Sequence, residues 1–385
     1  MRVALFTNNY VPFCGGVTIS VETLRGGLAR RGHEVWVFAP RFPGATADPR
    51  VIRYRSVPAA TYPEFALAIP FSPAIAARTR ALGVDVFHAQ HPFLLGPAAR
   101  RLATRQARPL VFTYHTRYEK YAHYVPLRRA LVEAAAVHLS TRFAARATAV
   151  IAPSGVIRDE LVRRGVRTPI AVVPTGVDLT RFAPGDGGAT RRELGLTAED
   201  RVLLYVGRLD PEKSVERVVL AFERIASTVP RTRLLLVGQG TRAEALRCLA
   251  GSLSVAERIH FLGLRAHAAL PVCYRAADVF IFASETETQG LVLAEAAASG
   301  LPAVAVAAPG CDEVVRDGAS GLLTKAEPAA LAEAAIGLLV DDERRRAMGA
   351  RAREVAERQF GVDLQIDRTL AVYEEARARV ARERR

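Results

Sequence analysis

Cysteine, methionine and tryptophan are all scarce in this chain of 385 residues, which contains four Cys, two Met and one Trp. The cysteines are Cys14, Cys248, Cys273 and Cys311. They have neither the close pairing of a zinc site nor the density of a disulfide scaffold. This scarcity excludes a disulfide-stabilised secreted module, and we expect a protein of the reducing cytoplasm.

Long apolar runs are missing as well. No stretch reaches the roughly 18 apolar residues that indicate a transmembrane helix. The opening, MRVALFTNNYVPF, has one basic residue before a β-rich stretch and the polar Asn8 and Asn9. A secretory signal would need a basic segment followed by a longer apolar one, so we interpret the opening as a first strand.

Acidic residues are few in the first half only. Residues 1–180 hold 24 Lys and Arg against 10 Asp and Glu, whereas residues 181–385 hold 29 of each. The whole net charge of +14 therefore lies in the first half. Such a basic half fits nucleic acid, an anionic membrane surface, or a genome that favours arginine, although the last does not explain the asymmetry.

Strand-like and helix-like segments alternate along the whole chain. Near-continuous apolar runs rich in Val, Ile and Phe are typical of strands buried on both faces of a parallel sheet. Pro-Gly-Asp-Gly-Gly lies in the middle of residues 178–200 and indicates a linker. We therefore predict an α/β fold with two doubly wound, Rossmann-like domains, residues 1–178 and 179–361, whose strand ends face a central cleft. A helix over 362–385 is expected to pack back on the first domain.

Two glutamates frame the start of a predicted helix in the second half. Glu287 lies in the loop after the strand DVFIFAS, and Glu295 lies about one turn into the helix. The amides around Gly290 form a helix N-terminus, which binds phosphate. A sugar nucleotide would place its diphosphate there and its hexose and ribose hydroxyls at the two carboxylates. Alternatively, the glutamates cap the helix and face solvent.

Two cations follow the first strand of the second half. Arg208 and Lys213 lie five positions apart in VGRLDPEKS, on a loop that opens a helix. Cations at the carboxyl end of a strand can neutralise a departing diphosphate. Because the glutamate loop follows another strand of the same domain, we expect all four groups at one edge of the sheet.

The combination R-x4-K (Arg208, Lys213) with E-x7-E (Glu287, Glu295) resembles the donor site of glycosyltransferase family 4. FTNNYVPFCGG and AVVPTGVDLTRFAP are similar to the family's opening and to its domain junction. The resemblance implies a retaining enzyme of the GT-B fold. It also implies His115, Glu287, Arg208 and Lys213 as catalytic residues. The donor-binding residues that it implies are Gly16, Arg208, Lys213, Gly238, Gly263, Leu264, Glu287, Thr288, Gln289, Gly290, Leu291 and Glu295.

The implied roles follow the parts of the donor. Arg208 and Lys213 would hold the diphosphate, Glu295 the ribose hydroxyls and Glu287 the transferred sugar. Gly16 would bring its amide to the phosphate, and His115 would lie beside the sugar. The backbone around Gly263 and Leu264 would flank the base. No D-x-D motif occurs, so we expect no metal and no cofactor beyond the nucleotide-sugar substrate; a Glu285/Glu287 metal pair is the weaker alternative.

A narrower resemblance concerns the acceptor. HAQHPFLLGPAARRLA and FTYHTRYEKYAHYVPL look like the bacterial 1,2-diacylglycerol 3-glucosyltransferases, which implies UDP-glucose as donor and a membrane lipid such as diacylglycerol as acceptor. Basic residues with interfacial aromatics suit an anionic bilayer, so we expect a peripheral protein on the inner face of the cell membrane. The residues assigned to this surface are Tyr118, Tyr121, Tyr124, Arg100, Arg101, Arg105, Arg128 and Arg129.

Three alternatives remain beside this interpretation. One is a GDP-mannose-dependent mannosyltransferase that acts on a lipid or another acceptor. A sugar-nucleotide epimerase would need a second set of acid and base groups, which we do not find. A nucleic-acid-binding protein would explain the net charge but not a diphosphate site, so we expect no nucleic-acid partner.

Overall fold

The computed structural model describes residues 1–13, 15–59, 65–125 and 127–384, without the side chains of His123 and Tyr124. Cys14 therefore lies outside the described residues. The chain forms two compact units, one of Met1–Gly176 with Val362–Arg385 and one of Val177–Gly361. Each unit is built on a parallel sheet with helices, which confirms the predicted α/β class with two parallel-sheet domains.

The first unit contains a seven-stranded parallel sheet in the order β3-β2-β1-β6-β7-β8-β9. Its strands are β1 (Arg2–Phe6), β2 (Glu34–Pro40), β3 (Val51–Tyr54), β4 (Ser56–Pro58), β5 (Ala66–Ala68), β6 (Val86–Ala89), β7 (Leu110–Thr113), β8 (Ala149–Ala152) and β9 (Ile170–Val172). Its first five helices are α1 (Gly16–Arg30), α2 (Pro73–Ala81), α3 (Leu95–Arg105), α4 (Arg129–Ala144) and α5 (Gly155–Arg163), and a 3₁₀ helix spans Tyr118–Tyr124. The small antiparallel pair of β4 and β5 was not predicted.

Alternate residues of the central strands enter two different cores. Val3 and Leu5 of β1 pack on one face of the sheet, and Ala4 and Phe6 pack on the other. All four side chains are fully buried. Because helices cover both faces, the strands are apolar at every position instead of at every second one.

The second unit contains a six-stranded parallel sheet in the order β12-β11-β10-β13-β14-β15. Its strands are β10 (Arg201–Val206), β11 (Thr232–Val237), β12 (Ile259–Gly263), β13 (Val279–Phe282), β14 (Ala303–Val306) and β15 (Gly321–Thr324). Its helices are α6 (Gly188–Glu193), α7 (Val215–Thr228), α8 (Ala243–Gly251), α9 (Leu270–Ala276), α10 (Leu291–Ala298), α11 (Pro328–Val340) and α12 (Asp342–Gln359), with 3₁₀ helices Pro211–Lys213, Ala256–Arg258 and His267–Ala269. Helix α6 lies inside the segment predicted to be a linker.

The last helix, α13 (Val362–Arg382), belongs to the first unit. It approaches α1 at Gly27, where a Cβ would lie 2.5 Å from the side chain of Ile366. Tyr373 reaches the sheet, and its hydroxyl lies 2.6 Å from Nδ1 of the fully buried His88 in β6. The other ring nitrogen of His88 lies 2.7 Å from Thr113 Oγ1. A buried histidine thus joins α13 to two strands.

Within the described residues, no helix has both the length and the hydropathy needed to cross a bilayer.

The His88 bridge gives a stability prediction. Burial, together with the nearby His115, lowers the pKa of His88 to about 3, so the ring is neutral and needs a partner at each nitrogen. Tyr373→Phe removes one partner and should lower the free energy of unfolding of the first unit by about 1–2 kcal/mol. Fluorescence of the single tryptophan, the buried Trp36 of β2, reports that transition.

Tyr54→Phe is the matched control, because Tyr54 is also buried but has no hydrogen bond to another described residue. Equal stability of Tyr373→Phe and wild type would contradict the structural role of the bridge.

Candidate functional site

Strand order reverses in the second sheet between β10 and β13. From β10 the chain runs outward through β11 to β12 and then returns across β10 to β13. In open α/β sheets, ligands bind outside the carboxyl ends of the strands at such a switch point. The loops after β10 and β13 carry the predicted cations and Glu287, so the two groups do meet at one edge.

Lys213 and Glu287 form an ion pair between these loops. Lys213 Nζ donates to Glu287 Oε1 at 2.5 Å, and Ser284 Oγ donates to the same oxygen at 2.6 Å. The side chains of the pair are only 13% and 14% exposed. Glu287 Oε2 has no hydrogen-bond partner among the described residues and is not a buried atom. One carboxylate oxygen is therefore available to a ligand hydroxyl.

The environment of Glu287 favours its ionised form. Burial alone would raise the pKa of this carboxyl group, but the charge and hydrogen bond of Lys213, the Ser284 hydroxyl and Arg208 together lower the pKa below its usual value. Glu287 is consequently a carboxylate at neutral pH, able to accept but not to donate a hydrogen bond.

Arg208 is held by two carboxylates of its own loop. Its Nη1 donates to Asp210 at 2.6 Å, and its Nη2 donates to Glu212. Asp210 is fully buried and also accepts from the backbone and hydroxyl of Thr241, which follows β11. The side chain of Arg208 is about one-third exposed. These carboxylates, which sequence patterns did not indicate, fix the direction of the guanidinium.

Glycines allow the neighbouring loops to approach closely. A Cβ on Gly238, at φ +146°, would lie 1.8 Å from the carbonyl oxygen of Gly207. A Cβ on Gly310, at φ +85°, would lie 2.9 Å from the carbonyl oxygen of Glu287 and 3.0 Å from the amide of Gln289. Gly310 was missed, although its Pro-Gly pair is a turn signal. These two glycines therefore allow the loops at the carboxyl edge of the second sheet to pack closely against one another.

Helix α10 begins at the predicted phosphate-binding position. Gly290 is its N-cap with a left-handed backbone, and Leu291 is its first residue. Thr288 and Gln289 precede it in the loop, and Gln289 is buried. The first amides of an α-helix lack partners inside the helix and carry partial positive charge.

The end of β12 lies on the other side of β11 at the same edge. Gly263 ends this strand at φ +67°, and Leu264 after it is 55% exposed. An exposed apolar side chain and nearby backbone are suited to flank a flat base, as predicted for these two residues.

Glu295 is placed differently from Glu287. It is 2% exposed, and both of its oxygens accept hydrogen bonds, Oε1 from His267 Nε2 and Oε2 from the Tyr274 hydroxyl, each at 2.8 Å. The two glutamates of the E-x7-E motif therefore do not present equivalent carboxylates. His267 and Tyr274 had no sequence signal, because they come from the 3₁₀ helix and α9 after β12.

Glu285 does not join Glu287 in a carboxylate pair. It forms an ion pair with Arg217 of α7 at the surface, whereas Glu287 is paired with Lys213. Among the described residues, no group of three or more His, Cys, Asp or Glu side chains is arranged to hold a metal ion.

A second polar cluster lies at the carboxyl edge of the first sheet, where the order also reverses between β1 and β6. His115 follows β7, and its Nε2 lies 2.6 Å from Oε1 of the buried Gln90 after β6. Burial lowers the pKa of His115 to about 4, so its ring is neutral at neutral pH. Gly16 is the first residue of α1, and a Cβ there would meet nothing within 4 Å.

The residues predicted to meet a membrane fall into two groups. Tyr118 packs edge-on against Phe93 and Tyr114, and its hydroxyl is buried. This ring is thus partly buried and packs against the core of the first unit. The Tyr124 side chain lies outside the described residues, and Tyr121 is partly buried. Arg101 and Arg105 of α3, and Arg128 and Arg129 at the start of α4, are exposed, while Arg100 is partly exposed.

Comparison with known proteins identifies the relatives of this chain. The model described as Glycosyltransferase Family 4 matches residues 14–181, and the model Glycosyl transferases group 1 matches residues 188–355. The α-monoglucosyldiacylglycerol synthase of Streptococcus pneumoniae is 31% identical over 84% of this chain and 75% of the relative. The Acholeplasma laidlawii synthase of the same name is 32% identical over 84% of each chain.

Other relatives carry a different name. A D-inositol 3-phosphate glycosyltransferase of Acidothermus cellulolyticus is 34% identical over 96% of this chain and 88% of the relative. Among solved structures, the sucrose-phosphate synthase of Thermosynechococcus elongatus superposes with a TM-score of 0.80 at 25% identity, over 98% of this chain and 99% of that one. The predicted GT-B fold is confirmed.

The Lys213–Glu287 pair should be visible in stability. Lys213→Met leaves the buried carboxylate without its cation and should lower the free energy of unfolding of the second unit by about 3 kcal/mol at pH 7. Without Lys213, burial raises the pKa of Glu287, so the variant protonates this carboxyl group at a higher pH than the wild type does. The difference should therefore be largest at neutral and higher pH and should shrink as the pH falls and Glu287 becomes protonated, first in the variant and then in the wild type. Calorimetry at several pH values measures it.

The double variant Lys213→Met/Glu287→Gln, which removes both charges, is the control and should recover most of the loss. A difference between wild type and Lys213→Met that stays constant down to pH 3 would contradict this account.

Proposed function

We propose that this chain, which belongs to glycosyltransferase family 4, transfers a hexose with retention of configuration from a nucleotide sugar, UDP-glucose, to a membrane lipid such as diacylglycerol. The observation that carries the proposal is the Lys213–Glu287 pair at the switch point between β10 and β13. It puts a cation for a diphosphate beside a carboxylate oxygen for a sugar hydroxyl. The diacylglycerol acceptor is supported by the names of two relatives.

In the proposed reaction the acceptor oxygen attacks the anomeric carbon on the face from which the diphosphate leaves. The bond from the anomeric carbon to the diphosphate oxygen breaks, the bond to the acceptor oxygen forms, and the acceptor proton passes to the departing diphosphate. Arg208 and Lys213 stabilise the charge that develops there. Glu287 Oε2 accepts from a hydroxyl of the hexose, and the amides at the start of α10 bind the diphosphate.

Transfer is proposed to need no metal ion. The two cations take the charge-neutralising role that a divalent ion has in other transferases. Asp210 and Glu212 hold the direction of Arg208, and Glu287 holds that of Lys213. Preorganised charges stabilise a transition state without reorganisation cost.

The first unit is proposed to hold the acceptor and the anionic inner face of the cell membrane. It contains 30 Lys and Arg against 14 Asp and Glu, a formal net charge of +16. Helix α4 adds an apolar stripe, because Leu131, Ala135 and Leu139 are exposed at positions i, i+4 and i+8. Leu131 is 65% and Leu139 is 50% exposed. Exposed leucines beside arginines are typical of interfacial helices.

A second candidate acceptor is a soluble inositol phosphate. Two relatives named D-inositol 3-phosphate glycosyltransferases match 96% and 97% of this chain, at 34% and 33% identity, whereas the two synthases match 84% of it. A basic first unit would attract a phosphorylated polyol as well as a membrane surface. The acceptor assay therefore includes both classes.

A donor and acceptor screen tests the proposed reaction. The purified chain is incubated with radiolabelled UDP-glucose, UDP-galactose or GDP-mannose and with diacylglycerol vesicles or inositol 3-phosphate, each with and without EDTA. We expect glucosyl lipid from UDP-glucose and diacylglycerol, unaffected by EDTA. If product forms only with inositol 3-phosphate, or only with GDP-mannose, the proposed acceptor or donor is wrong. Loss of activity in EDTA would reject metal independence.

Matched variants connect this activity to the site. Lys213→Ala and Glu287→Ala should reduce turnover at least about 100-fold, the size of effect found for removing one transition-state contact. Glu285→Ala, which removes a surface ion pair, should retain turnover. Unchanged turnover in either site variant, with folding verified by circular dichroism, would remove that residue from the catalytic set.

Vesicle flotation tests the membrane surface. Leu131→Glu/Leu139→Glu should weaken binding to phosphatidylglycerol vesicles at least about tenfold, because two apolar contacts are lost and two repelled charges are added. Leu220→Glu is the control, because Leu220 is 40% exposed on α7 of the other unit. Raised salt should also weaken wild-type binding. Equal flotation of both variants and the wild type would show that the apolar stripe of α4 does not contribute to membrane binding.

A further inference from the structure

Charged residues at the end of α5 bind the loop that carries His115. Glu160 accepts two hydrogen bonds from Arg117, one from Nε at 3.2 Å and one from Nη2 at 2.6 Å. Arg164, the residue after α5, donates from Nη2 to Glu160 and, at 2.8 Å, to Glu119. These side chains are only 11–17% exposed. Nearly buried ion pairs therefore join α5 to the loop after β7.

The chain just before the histidine is bound by the same arginine. Arg164 Nη1 donates to the hydroxyl of Tyr114 at 3.0 Å, and that hydroxyl lies 3.3 Å from Ser140 Oγ of α4. Tyr114 is 1% exposed, so its ring is closely packed. His115 thus lies between Tyr114 and Arg117, two residues whose side chains both bind to this end of α5.

The orientation of the imidazole depends on where this loop lies. His115 Nε2 lies 2.6 Å from Oε1 of the buried Gln90, which follows β6. A shift of the loop by about 1 Å would take this contact to about 3.6 Å, which is no longer a hydrogen bond. Misplacement of a catalytic group by about 1 Å can lower a rate about 100-fold.

Loss of one partner would disturb the buried ion pairs. A nearly buried charge without its partner is poorly solvated, so the groups left behind move toward water. The adjacent pair of Arg158 and Asp159 is different, because its side chains are 47% and 59% exposed and exposed ion pairs contribute little. Helix α5 therefore contains a nearly buried carboxylate, Glu160, next to an exposed one that can serve as its control.

We propose that Glu160 and Arg164 are positioning residues for His115, and that together they hold its loop so that the imidazole stays against Gln90 at the carboxyl edge of the first sheet. Their effect on transfer passes through the loop residues on either side of the histidine. This inference deepens the proposed function and rests on it, because it takes His115 as a residue of the transfer site.

The pKa of His115 tests this position without any substrate. Burial lowers the pKa of His115 to about 4, and it lowers the pKa of His88 and of His91, in and just after β6, to about 3. In Glu160→Ala the loop should loosen and the ring should gain water, so the pKa of His115 should rise by at least about one unit toward its ordinary value of about 6.5. Loss of a negative charge alone would lower this pKa. Nuclear magnetic resonance of the full chain with ¹⁵N-labelled histidine measures all three values, and the other two should stay unchanged.

Turnover connects the position of the imidazole to the reaction. Glu160→Ala should lower kcat at least about tenfold, because His115 leaves its place, while calorimetry should show unchanged binding of UDP. In the His115→Ala background the same substitution should lower kcat less than about twofold, since the two residues act through one contact. Asp159→Ala should retain wild-type turnover.

Three results would contradict this role of α5. They are an unchanged pKa of His115 in Glu160→Ala, a shift of all three histidines together, and an equal loss of turnover with and without His115. If Glu160→Ala does not fold, as judged by Trp36 fluorescence, Glu160→Gln keeps an acceptor for Arg117 and should give the same changes in smaller size. If the wild type transfers no hexose to any acceptor, the proposed function fails, and the pKa comparison still decides whether α5 positions His115.

Discussion

The ion pair between Lys213 and Glu287 is the contact on which the rest of the site depends. It joins the two loops that follow β10 and β13, and Ser284 donates to the same carboxylate oxygen. Because the pair is nearly buried, removal of either partner would leave a charge in a poorly solvated place. The pair therefore fixes both loops, and with them the direction of the one carboxylate oxygen that remains open to a hydroxyl.

The charge balance at the carboxyl edge of the second sheet differs from the net positive charge of the whole chain. Arg208 and Lys213 face three carboxylates, those of Asp210, Glu212 and Glu287, which compensate much of their charge. In the proposed function, the amides at the start of α10 therefore add to the positive potential that the two cations supply for a diphosphate. The excess positive charge of the molecule lies in the first unit. Net charge thus describes the surface of the first unit, whereas the candidate site of the second unit is built from paired charges and helix dipoles.

Sequence patterns predicted the sheets well because their strands are buried on both faces. The near-continuous apolar runs form the strands of the two parallel sheets, and the cations and Glu287 meet because parallel strands end at one edge. The patterns failed where partners are distant in sequence. Nothing in the chain near Glu295 indicates that His267 and Tyr274 cover it, and the pairing of Arg208 with Asp210 and Glu212 depends on side-chain directions that spacing does not give. Tyr118 was assigned to the membrane surface because its ring was counted as interfacial, yet the ring is partly buried and packs edge-on against Phe93 and Tyr114.

The spacing of the two glutamates, with seven residues between them, therefore gives their positions relative to α10 but not their hydrogen-bond partners. Spacing places one carboxylate before α10 and the other inside it, but long-range partners decide what each can do. Glu287 binds Lys213 and Ser284 through one oxygen, and its other oxygen has no hydrogen-bond partner among the described residues. Glu295 accepts hydrogen bonds at both oxygens, from His267 and from Tyr274. The two residues of one motif therefore present carboxylates in different states, one with an oxygen open to a further donor and one with both oxygens already bonded.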